Sequence, residues 1–219
     1  MSEASPRDSV LSHRIADSLR AAILDDEITP GSRIRQEEIA ARFGASRIPV
    51  REAIRMLHAD GLVTLVVNSG AWVTELTLAE CSEHYRMRER VEPLLLRSSM
   101  ENLDDAAIDA LQQLADDMES NSDVGAFIRL DRRFHLGTYA GAGRTYLREV
   151  VERLWNTTQH YRRAYSLVTG AAVLPATHME HQLLVDCLRR RDPDDAERIL
   201  VTHIRRTRLE LEKHPDLFA

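Results

Sequence analysis

The chain has 219 residues, of which 43% are hydrophobic and 29% are charged, and its formal net charge is −6. This composition is typical of a globular protein with one or two domains, and no apolar run approaches the roughly 20 residues of a membrane-spanning helix. The N-terminal sequence MSEASPRDSV lacks the apolar core of a secretory signal peptide, so we expect a cytoplasmic protein without a membrane partner.

Aromatic and cysteine usage narrow the class further. Aromatic residues make up only 5% of the chain, which predicts a core of leucine, valine, isoleucine and alanine, as in helical bundles. The two cysteines, Cys81 and Cys187, lie far apart and match no zinc-finger spacing. We therefore expect reduced thiols without a zinc ribbon or a disulfide.

The N-terminal segment predicts one helix and one very short strand. Four apolar residues recur at helical spacing: Val10, Ile15, Leu19 and Ile23. We expect residues 1–8 to be disordered, the helix to run from Ser9 or Ser12 to about Asp26, and a strand to form at Arg33–Ile34. Pro30 and Gly31 mark the turn between helix and strand.

Residues 36–57 predict two short helices joined by a tight turn at Gly44. Glycine accepts the left-handed conformation that ends many helices, and Ser46 is expected to cap the second helix by accepting a backbone N–H hydrogen bond. The second helix has an apolar stripe formed by Val50, Ile54 and Leu57. On another face, arginines recur every four residues: Arg47, Arg51 and Arg55. Since arginine grips guanine edges or phosphates, this helix-turn-helix predicts DNA binding in the major groove.

A two-stranded hairpin is expected to follow the helix-turn-helix. Residues 62–67 and 71–74 read as strands, and Asn68, Ser69 and Gly70 form the turn between them. This order of elements predicts a winged helix whose polar tip lies along a minor groove. Residues 1–75 hold nine arginines and eleven acidic residues, a net charge of 9 − 11 = −2. DNA binding must therefore come from locally clustered arginines and from the pairing of two copies.

The rest of the chain predicts an antiparallel bundle of about six helices, with 12–25 residues each. Their expected first residues are Thr77, Asp104 or Asp105, Ser122 or Asp123, Tyr146, His178 and Asp192. Gly141, Gly143 and Thr169–Gly170 mark breaks, and the last helix is expected to end near His214. The predicted fold class is mainly α, with a winged helix-turn-helix in residues 1–75 and an all-α bundle in residues 76–219.

A carboxylate and three histidines stand out in the predicted bundle. Asp131 and His135 share one face of a helix because they lie four residues apart. His181 has a core-like position on the next-to-last helix, and His203 lies midway along the last one. Three imidazoles and a carboxylate suit a borderline divalent metal. On spacing alone, a surface Asp–His hydrogen bond and satisfied core histidines are the more common explanations, and His178 is an alternative ligand.

Several motifs resemble those of one family. The elements PG-x-R-I, G-x-S-R-x-P-V-R-E-A-I-R and D-G-L-V occur in that order before the hairpin NSGAWV, and this segment resembles the winged-helix domain of GntR-family transcriptional regulators. The C-terminal part resembles the all-helical effector domain, called FCD, of the FadR-like branch. The motifs that carry this second resemblance are D-R-R-F-H at 131–135, E-H-x-x-L at 180–184 and R-x-R-D-P-x-x-A-E at 189–197.

For the first domain, the resemblance implies a set of DNA-contacting residues. Ser46, Arg47 and Arg51 match the family's recognition-helix contacts, and Asn68 and Gly70 fall in its wing; Arg55 joins them because of its spacing. Some family members carry an arginine where this chain has Glu37, which repels phosphate, so that contact is not carried over. Arg35 is a candidate substitute.

For the second domain, the resemblance implies a divalent metal at the floor of a ligand cavity, held by Asp131, His135, His181 and His203. Zinc, nickel and manganese all suit these ligands. Arg88 matches the family's R-x-x-x-E-P element and is expected to contact a small organic-acid effector. Arg162, on the long helix, is expected to face the same cavity. For both arginines, a surface or interhelical salt bridge is the alternative.

Together, these features predict a ligand-responsive transcriptional regulator, a repressor that binds a two-fold symmetric operator as a homodimer. We do not expect an enzyme, because the chain shows no nucleophile motif and no placed general base. Three alternative roles use the same His/Asp site: a metal-dependent enzyme, a direct sensor of the metal, and a purely structural metal.

Overall fold

A computed structural model describes residues 6–121, 123–169 and 174–218. The chain forms two compact units, residues 1–75 and 76–219. The proposed break at Thr169–Gly170 falls partly outside the described residues, as does Ser122, one of two candidate caps. In the part of the chain that is described, no helix is both long and apolar enough to cross a membrane.

The first unit contains three helices and a three-stranded sheet. Its elements are α1 (Pro6–Leu24), β1 (Arg33–Ile34), α2 (Gln36–Phe43), α3 (Arg47–Ala59), β2 (Val63–Val66) and β3 (Gly70–Val73). The central strand is β3, which pairs antiparallel with β1 and with β2, and Val66 lies opposite Gly70 at the hairpin. The predicted helix-turn-helix and wing are confirmed.

Helix α1 begins earlier than expected, at Pro6, and ends at Leu24 rather than near Asp26. Asp8 lies in its first turn, where a carboxylate complements the partial positive charge of a helix N-terminus. Ser12 is not a cap, because its hydroxyl donates to the carbonyl oxygen of Asp8 at 2.7 Å within the helix. The expectation of disorder up to residue 8 is therefore wrong for residues 6–8.

The core of the first unit lies between α1 and α3. Both helices bury one apolar stripe, and the fully covered side chains include Ile15, Leu19, Val50, Ile54 and Leu57. The sheet closes the same core with residues such as Val63 and Val73. Burial of this face of α3 leaves the opposite face, which carries the arginines, in solvent.

The turn between α2 and α3 takes the predicted form, with one correction. Gly44 adopts the left-handed conformation, with φ 58° and ψ 36°, and the N–H of Ala45 donates to the carbonyl of Ala40 at 2.9 Å. Ser46 occupies the capping position of α3, but its hydroxyl makes no capping hydrogen bond. A serine cap bonds the second or third N–H of the helix, and the third residue is Pro49, which has none.

The second unit contains six α-helices among its described residues, as predicted. They are α4 (Leu78–Met100), α5 (Asp105–Glu119), α6 (Val124–Thr138), α7 (Tyr146–Thr169), α8 (Leu174–Arg189) and α9 (Pro193–Leu211). Helix α8 begins four residues before the expected His178, because Pro175 is tolerated in a first turn. Helix α9 ends at Leu211, short of His214.

Side-chain caps fix where four of these helices begin. Thr77 and Glu80 form a reciprocal capping box at α4, in which the N–H of Thr77 donates to Glu80 at 2.8 Å. Asp104, Asp123 and Asp192 each accept a backbone N–H bond from the residue three positions later. The open choice between Asp104 and Asp105 is therefore settled in favour of Asp104.

A close contact between α4 and the turn after α6 requires glycine. The turn is a short 3-10 helix, Ala140–Ala142, and the N–H of Gly141 donates to the Ser99 hydroxyl at 2.9 Å. A Cβ atom on Gly141 would collide with the carbonyl oxygen of Ser99 and crowd the N–H of Leu103. This contact holds the end of α6 against α4.

We expect Gly141→Ala to lower the free energy of unfolding by about 1–3 kcal/mol, the usual cost of overpacking. Urea unfolding followed by circular dichroism measures the change. Gly44→Asn is the matched control, because Gly44 has φ 58° and ψ 36°, a left-handed conformation that asparagine tolerates, and a Cβ atom added there would have no atom within 4 Å. Equal stabilities for Gly141→Ala and the wild type would contradict the close contact.

Candidate metal centre and nucleic-acid interface

The exposed face of α3 carries the three arginines predicted to meet DNA. Arg47 lies 3.4 Å from Glu37 of α2, and Arg55 lies 3.4 Å from Glu52 on its own helix. In the described part of the chain, Arg51 has no ion-pair partner. Each guanidinium is solvent-exposed and able to exchange a weak surface contact for a phosphate or a base.

The wing tip is also exposed, at Asn68 and Gly70. Asn68 adopts φ 61°, a left-handed conformation that asparagine tolerates better than most residues. At the base of the wing, the Arg33 guanidinium lies over the Trp72 ring, 5.8 Å from its centroid. The tip of the hairpin therefore presents polar Asn68 beside an exposed Val67 on a small sheet.

The second unit brings together the four side chains predicted to bind a metal. Asp131, His135, His181 and His203 each offer a ligand atom, and these atoms all lie within 4.8 Å of one another. The three imidazole rings form a nearly equilateral triangle, with centroids 4.9, 5.0 and 5.1 Å apart. His178 lies outside this cluster and packs edge-on against Phe127.

Three of the donor atoms are spaced as ligands of one ion. The Nε2 atoms of His135 and His181 are 3.2 Å apart, and Asp131 Oδ1 lies 3.6 Å from the first and 3.5 Å from the second. Ligands about 2.1 Å from a shared ion lie roughly 3.0 Å apart in octahedral and about 3.4 Å apart in tetrahedral geometry. The residues therefore fit a divalent metal.

The protonation state of the histidines also favours metal binding. Burial, together with the neighbouring His203, lowers the pKa of both His135 and His181 well below 6.5. At neutral pH both imidazoles are therefore uncharged, as a metal ligand must be. Their buried Nδ1 atoms have no hydrogen-bond partner within the described residues.

A carboxylate outside the cluster orients His203. Glu180 Oε2 lies 2.7 Å from His203 Nδ1, which directs the other ring nitrogen toward the cluster. Although burial raises the pKa of Glu180, hydrogen bonds from His203 and Arg206 lower it to about 2. Glu180 therefore stays ionised and holds both partners in place.

A cavity adjoins the cluster. Asp131 and His203 line it, together with Tyr85, Arg88, Arg162 and others from α4, α6, α7, α8 and α9. The cavity has a volume of about 50 Å³. This corresponds to roughly three to five water molecules, or to a small organic molecule.

The two arginines predicted to bind an effector both pack against one tryptophan. The guanidinium carbon of Arg88 lies 4.3 Å, and that of Arg162 3.8 Å, from the Trp155 ring centroid. Arg88 is paired at 2.5 Å with Glu92, one turn later on the same helix, so this ion pair is buried and intrahelical rather than the surface or interhelical salt bridge of the alternative. Arg162 contacts Asp131 at 3.4 Å, but its buried Nε has no partner within the described residues.

Burial and charge affect these two arginines differently. Burial would lower the pKa of Arg88, but the adjacent Glu92 raises it above the usual range. For Arg162, burial outweighs the more distant Asp131 and lowers the pKa. The positive charge of Arg162 is therefore less well neutralised than that of Arg88, and a bound anion would stabilise it more.

Sequence reasoning missed several residues of the cavity. The sequence marks Glu180 only as part of a motif and does not single out Arg206. Arg206 lies three residues after His203 on the same face of α9, and it donates to Glu180 at 2.9 Å. The i, i+3 spacing from His203 was an available signal for Arg206. Nothing in the local sequence indicates that Tyr85 and Tyr165 direct their hydroxyls, unpartnered among the described residues, into buried positions.

Both units of the chain match known protein families. Residues 11–73 match the family model described as bacterial regulatory proteins, gntR family, and residues 83–206 match the FCD domain. The uncharacterized HTH-type transcriptional regulator YdhC of Bacillus subtilis is 26% identical over 191 residues, which is 85% of this chain and 84% of that protein. The HTH-type transcriptional repressor RspR of Escherichia coli is 25% identical over 190 residues, 85% of this chain and 82% of that protein.

Among solved structures, Escherichia coli McbR/YncC shares the fold. Its TM-score to this chain is 0.80 at 22% sequence identity, over 93% of this chain and 98% of McbR/YncC. The similarity extends across both units of the chain.

Proposed function

The chain belongs to the GntR family of bacterial regulatory proteins and carries an FCD domain, and from this premise we propose that it is a homodimeric repressor that senses a small organic acid. It is a transcriptional regulator rather than an enzyme. Residues 1–75 would bind DNA, and residues 76–219 would bind the effector and pair the two subunits. Such a regulator acts on the chromosome in the bacterial cytoplasm. The similarity to RspR, which is named a transcriptional repressor, supports the direction of control.

For the DNA contacts, we propose that the N-terminal part of α3 enters the major groove. Arg47 and Arg51 would reach base edges, and Ser46 and Arg55 would contact phosphates. Asn68 and Gly70 of the wing would follow the neighbouring minor groove. Ser46 is suited to a phosphate contact because its hydroxyl makes no capping hydrogen bond to α3. Two copies would read two half-sites of a two-fold symmetric operator.

Glu37 lies beside Arg47, where its negative charge opposes DNA binding. We expect Glu37→Gln to strengthen binding to non-specific duplex DNA by roughly 1.5- to 5-fold, because Arg47 loses a surface ion pair that competes with phosphate. Fluorescence anisotropy at low salt measures the affinity. Glu27→Gln is the matched control, since it removes the same charge at an exposed position outside the helix-turn-helix. Identical gains for both variants would contradict the special role of Glu37.

For the effector site, the proposal rests on one observation: Asp131 and His203 belong both to the four-residue cluster and to the cavity wall. Asp131, His135, His181 and His203 would hold the divalent ion, whether zinc, nickel or manganese. The ion would act as a Lewis acid for a ligand oxygen. The protein's own part is to hold the donor set, with Glu180 orienting His203.

Charge balance supports an anionic effector. Three cationic side chains line the cavity, and each has one carboxylate partner: Arg88 with Glu92, Arg162 with Asp131, and Arg206 with Glu180. A divalent ion added to this balanced set leaves an excess of two positive charges in a poorly hydrated space. A carboxylate ligand reduces that excess, and Arg162 Nε is a donor available to it.

Binding would control DNA affinity only if the effector prefers one arrangement of the two units over another. A thermal-shift screen of small carboxylates, with and without a chelator, tests the proposal. At 100 times its dissociation constant, a true effector stabilises the protein by about 2.7 kcal/mol, which raises the melting temperature by roughly 5–10 °C.

The same ligands, screened by thermal shift and then by gel shift, separate the alternatives. Stabilisation by a carboxylate that disappears with the chelator supports the proposed site. If the metal alone releases DNA in a gel shift and no acid adds to that effect, the ion itself is the signal. If neither acids nor metal change DNA binding, the sensing proposal falls and a structural metal is left.

A further inference from the structure

We propose that Ile48 reads thymine in the operator through contact with the base's 5-methyl group. The side chain of Ile48 is 59% exposed, at the second residue of α3. Buried apolar residues of this helix lie on the opposite face, so Ile48 makes no contribution to the core of the first unit. An isoleucine on a solvent face of a DNA-binding helix is therefore unexplained by folding.

Helix geometry places Ile48 among the arginines. With 3.6 residues per turn, each residue advances about 100°, so Ile48 lies about 60° from Arg51 and about 20° from Arg55 around the helix axis. Arg47, Ile48, Arg51 and Arg55 are all exposed. Of these four, Arg47 and Ile48 belong to the first turn, and N-terminal residues of a recognition helix are those that reach base edges.

The chemistry of the groove identifies what Ile48 meets. Among the four bases of DNA, only thymine presents an apolar group, its 5-methyl, in the major groove, and protein aliphatic groups recognise it by contact. The flanking arginines supply hydrogen bonds to guanines or phosphates, whereas Ile48 can neither donate nor accept one. It therefore favours thymine over the polar edges of the other three bases at its position.

This inference rests on the proposed function, because it requires α3 to lie in the major groove. It goes further by naming one base, one atom group and one side chain. The expected contribution is that of about one buried methyl group, roughly a fourfold change in affinity per half-site.

The test begins with selection of binding sites by the full-length protein from a random duplex library. Ile48→Ala is selected in parallel. Each thymine that the wild type enriches and the variant does not is then replaced by deoxyuridine, which removes only the methyl group. We expect that replacement to weaken wild-type binding about fourfold per half-site and to leave Ile48→Ala binding unchanged.

Two controls keep the outcome specific. Val10→Ala removes an apolar side chain of similar exposure, 64%, from α1 in the same unit, and it should bind every duplex as the wild type does. Deoxyuridine at a thymine outside the enriched half-sites should have no effect on either protein.

The outcomes also separate this inference from the function on which it rests. If the wild type enriches a motif but deoxyuridine never weakens binding, or weakens the wild type and Ile48→Ala equally, the assignment of Ile48 is overturned while DNA recognition stands. If the wild type enriches no motif at all, sequence-specific DNA binding fails, and the role of Ile48 fails with it.

Discussion

Replacing His135 by alanine should reduce the affinity for a divalent metal by at least about 100-fold. His135 Nε2 lies within 3.2 Å of His181 Nε2 and 3.6 Å of Asp131 Oδ1, so its loss removes one corner of the donor set. Even residues that only support a ligand are worth 10- to 100-fold in metal affinity, and a direct ligand is worth more. Elemental analysis after dialysis, followed by competition with a chelator, measures the change.

His178→Ala is the matched control for this experiment. His178 lies one turn from His181 on α8 but packs against Phe127 outside the cluster, so its removal should leave the metal content unchanged. Equal metal loss in both variants would move the site away from the proposed four residues.

Because His135 is buried, its removal also leaves a cavity that could impair folding. Asp131→Asn covers that case, since asparagine nearly preserves the volume while removing the charge. The variant should keep the helical circular dichroism spectrum and still lose metal affinity. A folded Asp131→Asn protein that retains the full metal content would refute the assignment.

The sequence predicted the secondary structure well where local chemistry decides it. Gly44 ends α2, the capping box at Thr77 begins α4, and Asp192 followed by Pro193 begins α9; each signal lies within a few residues of the feature it determines. The local signal failed at Ser46, where the cap was inferred from serine without regard to the missing N–H of Pro49.

The candidate metal centre was predicted mainly from the family resemblance rather than from local sequence signals. Spacing related only Asp131 to His135; the association with His181 and His203 came from the family resemblance and required three helices to converge. The hydrogen bond from Arg88 to Thr158 and the contact of Arg162 with Asp131 depend on side-chain packing between helices. Helical periodicity places a residue on a face but does not identify the residue across the interface.

Net charge was the least informative quantity for the interface. The first 75 residues are acidic overall, yet the exposed face of α3 carries Arg47, Arg51 and Arg55. At physiological salt the field of a distant carboxylate is screened over about 8 Å, so local charges dominate. Two carboxylates do lie close, Glu37 and Glu52, and each weakens the positive field of one arginine.

This distribution sets the expectation for Arg51, the recognition-helix arginine without an ion-pair partner in the described part of the chain. Arg51→Ala should weaken binding to a selected operator by about 1–3 kcal/mol per half-site, the cost of losing a bidentate contact to a base. No release of an existing ion pair offsets that loss. A gel shift with the selected duplex and with a scrambled duplex of the same composition measures both the affinity and the specificity.

Two comparison variants give the result its meaning. Arg55→Ala, further along α3, should weaken both duplexes by similar factors, as expected for a phosphate contact. Arg198→Ala removes an exposed arginine of α9 that pairs with Asp195, and it should change neither. If Arg51→Ala lowers affinity equally for the selected and the scrambled duplex, Arg51 contacts phosphate rather than a base. If Arg51→Ala lowers the affinity for neither duplex, α3 is not the recognition helix, because its arginine without an ion-pair partner among the described residues would then make no contact in the groove.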